Sequence, residues 1–278
     1  MVFAALVFSI NQYWTPADLP RLAWISFLAF LCFCLLSSGQ YLINDVLDAP
    51  RDREHPLKRD RAIAAGRVSP DIALVAAIVL MGVGILGSFL LAPAFGWTAT
   101  IYLAMMLTYS ISLKHLVIID VFVIAAGFVV RAAAGAVVID VPVSPWLYLC
   151  TLLGALFLAL TKRRQELVLL DERAADHRSN LEHYSLALVD QMINVVTPST
   201  VIAYSVYTFT AEGLPRNHAM MLTIPFVLYG IFRYLFLSHA SGQGGAPEEV
   251  LFTDRPLLAS IVAWVVVSAA VLVVFRDT

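Results

Sequence analysis

Asn44-Asp45-Val46-Leu47-Asp48-Ala49-Pro50-Arg51-Asp52-Arg53-Glu54 opens the densest block of charge in the chain, and it follows directly on the apolar run 21–43. A run of that length spans a bilayer as a helix, so the carboxylates stand at its mouth. If the helix continues a turn or two beyond the lipid, Asp45, Asp48 and Asp52, spaced i, i+3 and i+7, share one face. Three carboxylates and the Asn44 amide form an all-oxygen donor set suited to Mg²⁺. The negative end of the helix dipole favours a cation at the same place. Pro50 removes the bond to the Val46 carbonyl and is expected to kink the segment. Downstream lie Arg51, Arg53, Lys58, Arg59, Arg61 and Arg67, a basic set suited to anionic oxygens. Acids for a metal followed by bases for phosphate suggest a phosphate or diphosphate ester held through Mg²⁺. The alternative is a solvated loop whose mixed charges only set topology.

Outward from this block the chain is apolar. It is 60% hydrophobic and 14% charged, with a mean hydropathy of +0.82, which excludes a soluble globule and predicts an all-α polytopic membrane protein. Further spans are expected at 70–91, 95–112, 116–138, 146–161, 191–211, 218–237 and 256–275. With 21–43 these make eight complete spans, preceded by a partial run at about 1–10, too short to cross unaided. Residues 1–278 are read as a single integral-membrane domain. Cys32, Cys34 and Cys150 lie inside apolar runs and imply neither disulfide nor metal site. Small residues such as Gly84, Gly87, Gly127 and Ala132 suit close helix packing in lipid.

Loops 44–69, 113–115, 162–190 and 238–255 carry most of the basic residues, whereas the alternate loops hold little beyond Arg21 and Arg216. By the positive-inside rule these basic loops face the cytoplasm. All chemistry-capable clusters therefore share one membrane face, as a one-sided active site requires; a transporter would scatter polar groups at mid-depth. Beyond the first loop, Tyr109 and Lys114 form a candidate hydrogen-bond donor and phosphate ligand, with Asp120 a turn or two into the next helix. Lys162-Arg163-Arg164-Gln165-Glu166 ends another helix and leads into a polar stretch with Asp171, Glu172, His183 and Tyr184. Arg131 lies inside a span, where a bare guanidinium is costly, so it reaches an acceptor on another helix or lines a polar cavity.

Asn44-Asp45-x-x-Asp48-x-x-x-Asp52 resembles the first aspartate-rich motif of the UbiA superfamily of intramembrane prenyltransferases. Further stretches resemble one branch, the decaprenyl-phosphate phosphoribosyltransferases. They are Asp52-Arg53-Glu54-His55-Pro56-x-Lys58-Arg59, Ile63-Ala64-Ala65-Gly66, Tyr109-Ser110-x-x-Leu113-Lys114-His115, Lys162-Arg163-x-x-Glu166-Leu167, and Pro247-Glu248-Glu249 with Asp254-Arg255. The resemblance implies a nine-helix bundle whose first helix is shortened here. Two departures stand out: Arg61 is followed by Ala62 where relatives have proline, and bases at 162–164 replace the second aspartate motif. That replacement suits a prenyl monophosphate held by cations.

By resemblance, the expected reaction is Mg²⁺-dependent transfer of 5-phosphoribose from 5-phosphoribosyl 1-diphosphate to a polyprenyl phosphate, in arabinan-precursor synthesis for a bacterial cell wall. The expected setting is the inner membrane, with the site on its cytoplasmic face. Asp45, Asp48 and Asp52 are the expected catalytic and metal-binding acids, with Asn44 as a further ligand. Asn44, Lys58, Arg59, Arg61, Tyr109, Lys114, Asp120, Lys162, Arg163 and Glu166 are the expected substrate-binding residues. Membrane lipid is an expected partner and nucleic acid is not; homo-oligomerisation stays open. The rivals are an aromatic or quinone prenyltransferase on the same fold, and a polytopic protein without enzymatic activity.

Overall fold

A computed structural model describes residues 1–9, 13–54, 58–171, 184–240 and 247–275. His55-Pro56, Glu172, Arg173, Arg178, His183 and Arg276 lie outside the described residues. The described helices are α1 (Ala4–Phe8), α2 (Leu19–Glu54), α3 (Pro70–Leu91), α4 (Pro93–Ile111), α5 (Ile119–Val138), α6 (Pro145–Asp171), α7 (Leu186–Thr210), α8 (Ile224–Ala240), α9 (Pro247–Thr253) and α10 (Arg255–Val274). Eight segments are long and apolar enough to cross a membrane, matching the eight expected spans. The protein is a multi-pass membrane protein.

One expected continuation is observed and one expected helix end moves. α2 runs through Pro50 to Glu54, so the acidic block is wholly helical. α6 runs on to Asp171, which places Lys162-Arg163-Arg164 within a helix and not at its end. Arg, Lys, Gln, Glu and Leu are strong helix formers, and an Arg163–Glu166 ion pair at 2.6 Å reinforces the turn. Elsewhere the ends follow local chemistry. Ser69 caps α3 by accepting from the Ile72 amide, with Pro70 in its first turn. Asp254 caps α10 by accepting from the Leu257 amide.

The chain divides into two compact units. The first comprises Met1–Leu6 and Ala17–Val143. In it α2 packs on α3, α4 and α5. The α2–α3 approach is close enough that a Cβ at Gly39 would stand 2.9 Å from the Ala77 carbonyl oxygen, and one at Gly84 would stand 3.2 Å from that of Cys32. Arg131 on α5 lies 4.8 Å from the Phe128 ring centroid and 5.1 Å from that of Tyr102. Among the described residues no acidic side chain pairs with it; aromatic faces answer its charge.

The second unit comprises Val7–Pro16, Ser144–Ala174 and Leu181–Thr278. In it α7 packs on α6 and α8, and α10 on α8 and α9. The Trp264 indole donates to the Tyr204 hydroxyl at 2.6 Å, and that hydroxyl meets Thr223 Oγ1 at 2.6 Å. This chain ties α10 to α7 through groups that burial would otherwise leave unsatisfied. Arg233 on α8 grips both Asp254 oxygens, at 3.1 and 2.8 Å.

Candidate active site

Helical continuation of α2 brings Asn44, Asp45, Asp48 and Asp52 onto adjoining turns of the first unit. Asp48 and Asp52 are 8% and 5% exposed, too buried for bare charges. Each is answered by a cation from outside the helix. Lys114, in the short 3-10 turn Leu113–His115 after α4, donates to Asp48 Oδ1 at 2.7 Å and to Asn44 Oδ1 at 3.4 Å. Asn44 Nδ2 in turn donates to Asp48 Oδ2 at 3.1 Å. From the loop that follows α2, Arg61 Nη1 bridges Asp45 Oδ1 at 3.1 Å and Asp52 Oδ2 at 2.9 Å.

Arg61 is held there by the loop that carries it. Ile63 is buried against Ala49 and Ala73, with Leu42, Val46 and Val68 around them. The chain reverses at Gly66, whose φ of +72° is ordinary for glycine and strained for other residues. The Gly66 amide donates to the Ile63 carbonyl, and the Arg67 and Val68 amides to that of Ala62. Arg53 on α2 donates to the Ala64 carbonyl at 3.3 Å. Ile63-Ala64-Ala65-Gly66 is thus an apolar plug and turn that fixes the approach of Arg61. Its hydrophobic-then-glycine pattern could have disclosed this in the sequence.

The donors suit a hard divalent cation: three carboxylates and one amide oxygen, with no sulfur or imidazole among them. Among the described residues no three acidic, His or Cys side chains converge as a ready-made ligand set. Arg61 and Lys114 already pair with all three acids, two positive charges against three negative ones, and Arg61 stands between Asp45 and Asp52. The donor chemistry of these residues fits a hard divalent ion.

Of the other expected residues in this unit, Lys58 is half-buried and Arg59 exposed on the Arg61 loop, and Tyr109 is half-buried near the end of α4. Asp120 is fully buried in the first turn of α5, earlier in that helix than expected. Just before it, the β-branched Ile118 adopts φ +70°, a strained left-handed conformation. The second unit holds Lys162, exposed, and Arg163, buried and paired with Glu166. Arg164 pairs with Asp190 at 2.7 Å. Sequence reasoning passed over Gln40, buried on α2 below the acids, whose amide donates to Ser110 Oγ at 2.9 Å.

The UbiA prenyltransferase family model matches residues 1–253. Decaprenyl-phosphate phosphoribosyltransferase of Mycobacterium tuberculosis is 35% identical over 245 residues, 88% of this chain and 80% of that one. The protein of the same name from Corynebacterium glutamicum is 34% identical, covering 86% of this chain and 73% of that one. Among solved structures, a UbiA homolog from Archaeoglobus fulgidus bound to GPP and Mg²⁺ superposes with a TM-score of 0.68. It is 17% identical, and the match covers 88% of this chain and 87% of that one. With its helical architecture and the acidic face of α2, the chain belongs to the UbiA prenyltransferase family and is an enzyme of the prenyltransferase type.

Proposed function

We propose that this enzyme transfers 5-phosphoribose from 5-phosphoribosyl 1-diphosphate to a polyprenyl phosphate, releasing diphosphate. The observation that carries the reading is the extended identity to relatives of that name, 35% over 88% of the chain. The basic Lys162-Arg163-Arg164 stretch of α6 agrees with it, since cations suit an acceptor that is already a phosphate monoanion or dianion.

Asp45, Asp48 and Asp52, with the Asn44 amide oxygen, would hold the divalent ion, Mg²⁺ by the chemistry of the donors. Bound there, it supplies Lewis-acid neutralisation of the leaving diphosphate. The chain's own residues do the rest by charge. With the ion on the carboxylates, Arg61 and Lys114 would be free to turn to substrate oxyanions; Lys58 and Arg59 add positive charge on the same loop. A phosphate oxygen of the acceptor bonds to ribose C1 as the C1–O bond to diphosphate breaks, and the electron pair leaves with diphosphate. The acceptor is anionic at neutral pH, so no general base is needed. Rate comes from holding together two anions that otherwise repel. Tyr109, Asp120, Lys162, Arg163 and Glu166 are assigned to substrate binding. The basic loops favour a site on the cytoplasmic side of a bacterial inner membrane.

Purified protein incubated with phosphoribosyl diphosphate, polyprenyl phosphate and Mg²⁺ should yield a lipid heavier by one phosphoribosyl group. An unchanged lipid mass spectrum with folded protein would sink the proposal.

A further inference from the structure

Behind the Asp48–Lys114 pair, in the first unit, lies a cavity of about 230 Å³ between α2 and the end of α4. It does not open on the Arg61 bridge: neither Asp45, Asp52 nor Arg61 lines it. One part of its wall is basic, formed by Arg51, Lys114 and His115. Arg51 is exposed and has no hydrogen-bond or ion-pair partner among the described residues. Another part is apolar, formed by Leu47, Pro50 and Ile111. Leu47 is 48% and Ile111 66% exposed, and Ile111 is the last residue of a membrane-spanning segment. Ser110 fits the wall without offering a proton, since its hydroxyl donates to the Met106 carbonyl while accepting from Gln40.

Cations beside exposed apolar side chains at the end of a span match one ligand chemistry: the phosphate of a membrane lipid, its chain lying outward along Leu47 and Ile111. The volume is below the roughly 300 Å³ of the smallest drug-like pockets, enough for a headgroup phosphate with the tail outside. Asp48 also lines the cavity, yet its charge is already met by Lys114 at 2.7 Å. We infer that this cavity is a lipid-phosphate site, and that its occupant competes with Asp48 for the Lys114 ammonium. An anion there draws Lys114 away from the acidic face and favours a divalent ion on it; by linkage the ion favours the lipid phosphate equally. The occupant is either the polyprenyl phosphate, in which case the inference rests on the proposed reaction, or an anionic phospholipid.

The test uses the full chain in phosphatidylcholine nanodiscs without phosphoribosyl diphosphate, so that no turnover is required. Binding of added polyprenyl phosphate or phosphatidylglycerol is read by native mass spectrometry, and Mn²⁺ binding by electron paramagnetic resonance. Arg51→Gln should weaken one of the two lipids about ten-fold, the effect of losing a charge-assisted contact, and Arg51→Lys should restore most of it. Loss confined to polyprenyl phosphate identifies the acceptor; loss confined to phosphatidylglycerol identifies a bilayer lipid and leaves the proposed reaction to its own assay. Bound lipid phosphate should also tighten Mn²⁺ binding several-fold, by the same linkage. Equal binding of both lipids by wild type and Arg51→Gln, or Mn²⁺ affinity indifferent to the lipid that binds, would overturn the inference.

Discussion

Removing the Lys114 amine should tighten divalent-ion binding, although Lys114 is itself a substrate-binding candidate. Its Nζ lies 2.7 Å from Asp48 Oδ1, and the two side chains are only 13% and 12% exposed. A charge-assisted hydrogen bond so shielded from water is worth about 1.5–3 kcal/mol. A metal taking Asp48 as ligand must displace that bond, so its apparent affinity carries the cost. Lys114→Gln should lower the Mn²⁺ dissociation constant about 10–100-fold at 1.4 kcal/mol per decade. Arg61 gives the contrast. Its side chain is 40% exposed, although Asp52 beneath it is only 7% exposed, and pairs with so open a partner contribute about 0–1 kcal/mol, so Arg61→Gln should gain at most about five-fold. Electron paramagnetic resonance of Mn²⁺ with detergent-solubilised protein, free of both substrates, measures the two variants side by side. Failure of Lys114→Gln to tighten binding, or a larger gain for Arg61→Gln, would refute the exchange of internal cations for metal.

Further outcomes follow from the same geometry. Asp48→Ala should abolish Mg²⁺-dependent diphosphate release, measured with labelled donor, while the protein still elutes as a folded species; full activity would remove Asp48 from the metal site. Asp254→Ala, which removes both the α10 cap and the Arg233 grip, should cost about 1–2 kcal/mol in thermal unfolding. The hydrogen bond from Arg233 holds the Asp254 carboxyl below the usual carboxylate range. Its contribution is therefore full above that range and fades as pH falls through and below it, so wild type and variant should converge in acid; a constant gap would contradict the pairing. Ile118→Gly should raise stability by about 1 kcal/mol by relieving a left-handed β-branched residue that is 42% exposed and buries little.

The acidic face was legible because i, i+3 and i+7 spacing is a local property, and α2 keeps its helix past the apolar run. The eight spans were legible for the same reason: hydropathy acts over a window. What answers each charge was not. Lys114 reaches Asp48 across 66 positions of chain, and no spacing rule links them. Arg61 looked like one base among six; only the plug of Ile63 and the turn at Gly66 single it out. Arg131 suggested an acidic or polar partner because local rules weigh its charge and not its planar shape, and two aromatic rings take that place. The extension of α6 to Asp171 was missed because a switch from apolar to basic residues reads as a membrane boundary, although those residues are good helix formers.

The most direct test of the proposed transfer is a donor competition. The purified enzyme, with Mg²⁺ and polyprenyl phosphate, is offered equal amounts of labelled phosphoribosyl diphosphate and labelled prenyl diphosphate, with an aromatic acceptor also present. Only the phosphoribosyl label should pass into lipid, with one diphosphate released per transfer. Consumption of the prenyl diphosphate, with the ribose label left in water, would contradict it.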